Sequence, residues 1–165
     1  MHGLRNSIPT VVPKWERPMR GEVKINVDAA VAKDLRQVGT GVVARGVDGK
    51  VMGLLLHVYH GISSPRVDEA YAIRDGIILG RALKLSKVVI ESDAEALIRN
   101  CNSGTDPPID VATLISDCHS LKNLFTKWKQ NLNIRLLEEL TNAPLLWKYR
   151  RWPTHFRSTK KNVTE

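Results

Sequence analysis

Asp28, Glu69 and Asp93 are acidic residues standing where a carboxylate needs a physical reason. Asp28 lies in the run Val23-Lys24-Ile25-Asn26-Val27-Asp28-Ala29-Ala30-Val31. There Val23, Ile25 and Val27 point one way and Lys24, Asn26 and Asp28 the other, the period of a strand with one apolar face. A strand interior disfavours Asp, and a carboxylate near a core carries a desolvation penalty unless a cation compensates it. Glu69 shares one helical stripe with Ile73, Gly76, Gly80 and Leu83. Asp93 closes the apolar run Lys87-Val88-Val89-Ile90-Glu91-Ser92, at a strand-to-helix junction where an Asp also serves as an N-cap. Taken alone, Asp28 reads better as an edge residue facing water; its company further along the chain changes that. Brought together in a partly buried pocket, the three would repel, so either one is protonated or a cation sits between them. Magnesium, or manganese in its place, takes such oxygen ligands, and two ions about 4 Å apart can activate a water and support the departing oxygen of a phosphodiester. No rival chemistry competes: Cys101, Cys118 and His119 lack zinc-ligand spacing, and no Ser-His-Asp or Cys-His set stands out.

Whether the three meet depends on the elements that carry them. Residues 1–20 hold Pro9, Pro13 and Pro18 without periodicity and read as an extended lead-in, with Trp15 available to dock on the body. A first strand at 23–31, a turn over 32–39, a second strand from Thr40 and a third from Val51 to His60 form a meander, its hairpin marked by Asp48-Gly49. Gly39-x-Gly41 opens a strand rather than a helix, so it is no dinucleotide loop. Ser64 and Pro65 open a helix running to about Leu85, whose Gly76 and Gly80 suit close approach to a sheet. Strand four is the apolar run ending at Ser92; Asp93 to Asn102 is helical, Gly104 to Pro108 is a loop, and a second long helix runs from Ile109 to about Lys129. The crossover helix implies a mixed α/β sheet, a three-stranded antiparallel meander plus parallel strand, with helices packed on its faces. If strand four lies parallel to strand one, the strand order reverses between them, and sites in open sheets sit at such reversals.

The chain of 165 residues allows one domain with a real core, and its 42% apolar content is ordinary. It has no long apolar run and no secretory leader, which points to a soluble intracellular protein, nucleus or cytoplasm unresolved, with no membrane partner. Two cysteines make no disulfide scaffold and read as reduced packing residues. The net charge of +8 is concentrated at the ends: residues 120–165 hold ten basic and three acidic side chains. Basic ends on a neutral body fit a polyanion partner, and fit equally a basic tail of no function.

Asn26-Val27-Asp28-Ala29-Ala30, Gly41-Val42-Val43-Ala44-Arg45 with Asp48-Gly49, Asp68-Glu69-Ala70, and Ile90-Glu91-Ser92-Asp93 together resemble the type-1 ribonuclease H family. The Trp15-Glu16-Arg17-Pro18 lead-in is similar to that of its plant and retrotransposon-derived branch. The resemblance covers roughly residues 15–130. It implies a ribonuclease H-like mixed sheet with helices on both faces, and a magnesium- or manganese-dependent endonuclease cutting the RNA strand of RNA–DNA hybrids. It also implies that Asp28, Glu69 and Asp93 are three members of a four-carboxylate catalytic and metal-binding set. Two features depart from the family. Ala29 replaces the usual glycine, and the fifth strand, basic pair and fourth carboxylate expected after the long helix are missing. Instead Leu136-Leu137-Glu138-Glu139-Leu140 and Trp147-Lys148-Tyr149-Arg150-Arg151-Trp152 follow, with no Asp beyond Asp117. Glu-Glu-Leu is what an Arg-Arg-Thr codon run yields one nucleotide out of register. The expected organisation is therefore a lead-in at 1–20, a ribonuclease H-like domain at 21–130 and a divergent basic tail at 131–165, frame-shifted in origin. Asn26, Lys148, Arg150 and Arg151 are the nucleic-acid-binding candidates. The tail mixes rings with cations as single-strand binders do, though accidental composition of a misregistered sequence explains it better. The chain is taken as a monomer. Two further readings stand beside an active nuclease: a weak or inactive module that binds nucleic acid or protein, and an interaction domain whose acids are structural.

Overall fold

In the computed structural model, residues 15–32, 35–61, 64–103, 106–132 and 157–158 are described. The elements in chain order are β1 (Val23–Ala32), β2 (Gln37–Arg45), β3 (Val51–His60), α1 (Pro65–Ala82), β4 (Lys87–Ser92), α2 (Glu95–Ser103), α3 (Ala112–Lys122), β5 (Lys127–Leu132) and β6 (Arg157–Ser158). They build one mixed sheet in the order β3-β2-β1-β4-β5, with β6 joined to β1. β1, β2 and β3 pair antiparallel, and β4 runs parallel to both β1 and β5. The expected mixed sheet, with its order reversing between β1 and β4, is what forms. Among the described residues no helix is long and apolar enough to cross a membrane.

The period-two reading of β1 is realised in its packing. Ile25 and Val27 are fully buried in the main core with Val42, Ile73, Ile77 and Ile90. α1 starts as its sequence requires: the Ser64 side chain accepts from the Val67 amide at 3.3 Å and Pro65 needs no donor partner. Its glycines let it lie against the sheet. A Cβ at Gly76 would stand 2.6 Å from Val27 Cγ1, and one at Gly80 would stand 3.1 Å from both Ile25 Cδ1 and Phe125 Cζ. The helix ends at Ala82, short of the expected Leu85, because Lys84 takes a left-handed conformation (φ 54°). The Leu85 amide then closes onto the Gly80 carbonyl.

The opposite face of the sheet carries Lys24, Asn26 and Glu91, all about 5–7% exposed. Glu91 compensates the buried cation: Lys24 Nζ lies 2.7 Å from its Oε1, and Asn26 Nδ2 donates to its Oε2 at 2.9 Å. The expected docking of the lead-in occurs on this face. The Trp15 ring lies 5.3 Å from Lys24 Nζ, and Lys24 donates to the Glu16 carbonyl at 2.5 Å.

The expected helix from Ile109 to about Lys129 is corrected at both ends. Ile109 is 96% exposed, and the Val111 amide bonds the Pro108 carbonyl in a turn before α3 begins. At the far end the Leu124 and Phe125 amides make tight turn bonds to Leu121 and Lys122. The Thr126 and Lys127 amides then both reach the Ser86 carbonyl, which draws the chain into β5 beside β4. A fifth strand, read from the sequence as missing, is thus present, beginning inside the stretch assigned to the helix. Lys127-Trp128-Lys129-Gln130 carries no apolar alternation to advertise it, whereas the stripe of α3 continues visually to Phe125. α2 also starts late, at Glu95, leaving Asp93 ahead of the helix while Ser92 Oγ accepts from the Ala94 amide.

Candidate metal centre

The register of β1 and β4 makes the site. Their parallel pairing ends with Asn26 opposite Glu91. Asp28 and Asp93 each follow two residues later, where the two strands part. Across β1, Asp28 faces Gly41 of β2, so the position directly opposite carries no side chain. α1 crosses the sheet with Gly76 and Gly80 pressed onto β1, which brings its first turn, and Glu69 with it, over the same point. Each of Asp28, Glu69 and Asp93 offers one carboxylate oxygen, and these three oxygens all lie within 4.8 Å of one another. Asp28 and Asp93 are half-buried and Glu69 is 9% exposed. Sequence reasoning singled out these three, and the fold brings them together. Among the described residues they are the one such acidic cluster able to hold a metal ion. Their chemistry fits a divalent cation: all-oxygen, anionic and partly open to water.

The structure places the other candidates differently. Asn26 is 5% exposed and its amide is held by Glu91, so it braces the β1–β4 pair just before the strands part. Lys148, Arg150 and Arg151 lie outside the described residues. β6 pairs with β1 at Ala30 and Val31, next to the place vacated by β4. Sequence reasoning missed Asp75, a carboxylate on α1 that is 1% exposed. Thr40 Oγ1 and Tyr59 Oη donate to it, the latter at 2.8 Å, and His57 Nδ1 lies 3.6 Å away. Burial, reinforced by that bond, raises the Tyr59 phenol well above its usual range and keeps it a donor. The only sequence signal for this network is a charged residue on the sheet side of α1.

The sequence from 26 to 136 matches the model of the reverse transcriptase-like family, about two thirds of the chain. The chain belongs to that family. A search of curated proteins gave no match. Among solved structures, ribonuclease H1 from the halophilic archaeon Halobacterium salinarum superposes with TM-score 0.64 at 15% identity, over 72% of this chain and 89% of that one. LC11 ribonuclease H1, solved in complex with an RNA/DNA hybrid, gives 0.63 at 16% identity, over 75% and 92%. The protease-reverse transcriptase of prototype foamy virus gives 0.59 at 11% identity, over 82% of this chain but 20% of the viral one. The body of this reverse transcriptase-like chain therefore has the ribonuclease H-like fold, and the acid cluster lies at the strand-order reversal of that fold.

Proposed function

We propose that this chain is a ribonuclease H-type hydrolase that binds RNA–DNA hybrids and cleaves the RNA strand with divalent cations. The observation that carries the reading is the meeting of Asp28, Glu69 and Asp93, drawn from three elements, where β1 and β4 part. A structural neighbour solved with an RNA/DNA hybrid supports the substrate class. Asp28, Glu69 and Asp93 would be the residues that hold magnesium or manganese. Bound there, such ions supply an activated water and charge stabilisation for the departing oxygen. The protein's own part is to hold three like charges close at a point open to a large substrate. The Lys24–Asn26–Glu91 network fixes the spacing of β1 and β4 immediately before it. The Trp15-Glu16-Arg17-Pro18 lead-in favours the plant and retrotransposon-derived branch.

The test is cleavage of an end-labelled hybrid in magnesium, beside Asp28→Asn. Cleavage lost in the variant supports the reading, and cleavage retained by Asp28→Asn rejects it. One observation favours a second reading, a binding module of weak or no activity: the described cluster holds three acids, and no Asp follows Asp117. Hybrid binding without cleavage in both proteins would select it. On that reading the divergent tail from about 131 arose by a frame shift. Transcript sequencing across this region tests the shift, and an intact frame shared by close relatives rejects it.

A further inference from the structure

β3 ends the sheet, and among the described residues nothing pairs with its outer edge. Half of its backbone amides and carbonyls therefore face outward, a template for another strand. Edge strands are usually protected by a charge, a proline or brevity. β3 has ten residues, with neither proline nor Asp, Glu, Lys or Arg among them. From Val51 to Pro65 no such charge occurs for fifteen residues, the longest such run in a chain that is 25% charged. Met52, Leu56 and Val58 are 49%, 49% and 45% exposed along it. Its one irregularity is at the turn end, where Ala44 faces Gly53 and Arg45 faces Val51, leaving Met52 as an extra residue. From Gly53 to His60 the strand is regular.

We propose that β3 pairs antiparallel with β3 of a second copy of this chain, joining two sheets across a two-fold axis. An antiparallel edge is self-complementary in its hydrogen bonds, so one strand type suffices for a closed, isologous interface. Charge favours this edge over the other end of the sheet: β5 carries Lys127 and Lys129, whereas two copies of β3 set no Lys or Arg of the strand against each other. Leu56 and Val58 from both copies then shield one another from water across the junction. The interface is independent of the proposed hydrolysis.

Sedimentation velocity on the full chain, across a concentration series, tests it. A two-copy species should form, and Val58→Lys should weaken it at least about tenfold, since opposed like charges cost more than the 1.4 kcal/mol that tenfold represents. Ile109→Lys, an exposed apolar residue elsewhere, should leave it unchanged. Should Val58→Lys fold poorly by circular dichroism, Met52→Lys and amide exchange of the wild type take its place. The amides of Gly53 to His60 should then exchange more slowly as concentration rises. A monomer at every concentration overturns the proposal. So does a dimer indifferent to the lysine substitutions, or open-ended polymers in place of a closed pair.

Discussion

Glu69 and Asp75 stand six residues apart on one helix, and their surroundings give them opposite fates. Asp75 is sealed in and accepts from Thr40 and Tyr59, so its role is structural. Glu69 instead meets two more carboxylates within 4.8 Å. At an effective dielectric near 20, two ionised carboxylates that close repel by at least about 3.5 kcal/mol. Removing one charge should therefore help the metal-free fold even as it harms metal binding. Asp28→Asn is expected to raise the melting temperature slightly in chelator, and to lose the further rise that magnesium gives the wild type by mass action. Differential scanning calorimetry with and without magnesium reads both, and a wild type indifferent to the ion would sink the metal assignment. A different carboxylate sets the acid response. The bond from Lys127 holds the Glu22 carboxyl below its usual 4.5, against the desolvation that raises it. A depressed folded value stabilises above the unfolded one and is lost as pH falls through the folded one. Stability should thus decline as pH drops below 4.5, and Lys127→Met should flatten that decline in urea midpoints.

Among the elements, α1 and β1 do most of the positioning, and two substitutions separate how. Gly76→Ala puts a methyl 2.6 Å from Val27 Cγ1, a clash that only movement of helix or strand relieves. Overpacking of this kind costs about 1–3 kcal/mol, and because the helix carries Glu69 it should lower hybrid cleavage as well as stability. Gly41→Ala is the control for stability alone: its Cβ would meet only Leu56 Cδ2 at 4.0 Å. On the other face, Glu91→Ala strands the buried Lys24 ammonium and should cost about 3–5 kcal/mol, more than the glycine change. Lys24→Met together with Glu91→Leu should recover much of that loss, read as chemical denaturation midpoints. If the single and double variants were equally unstable, the pair would be no more than packing.

For the molecule as a unit, the two thiols report whether the sheet and its helices open together. Cys101 and Cys118 are buried in the main core, and desolvation pushes the Cys118 thiol up to about 12. Neutral and enclosed, both should resist a disulfide reagent at neutral pH until the fold opens, so their labelling should track global unfolding in urea. Rapid labelling of the native protein would mean that α2 or α3 detaches independently. Their reading as reduced packing residues agrees with this placement.

Local sequence carried a large part of this protein. Alternation in β1, the Asp-Gly turn, the Ser64-Pro65 helix start and the apolar run of β4 each declare themselves through nearest-neighbour sterics and burial period. Once those elements were ordered, the strand-order reversal predicted where Asp28, Glu69 and Asp93 would meet. β5 was hidden because its pairing is supplied by Ser86 and β4, distant in sequence, and a buried Gln130 interrupts its apolar alternation. The Asp75 network was hidden for the same reason: its hydroxyl donors come from β2 and β3. Composition and periodicity act over a few residues, so they determined which elements form and which face is apolar. Only packing of the whole chain decided which buried charges pair with Lys24 or Tyr59 and which carboxylates gather at the strand-order reversal.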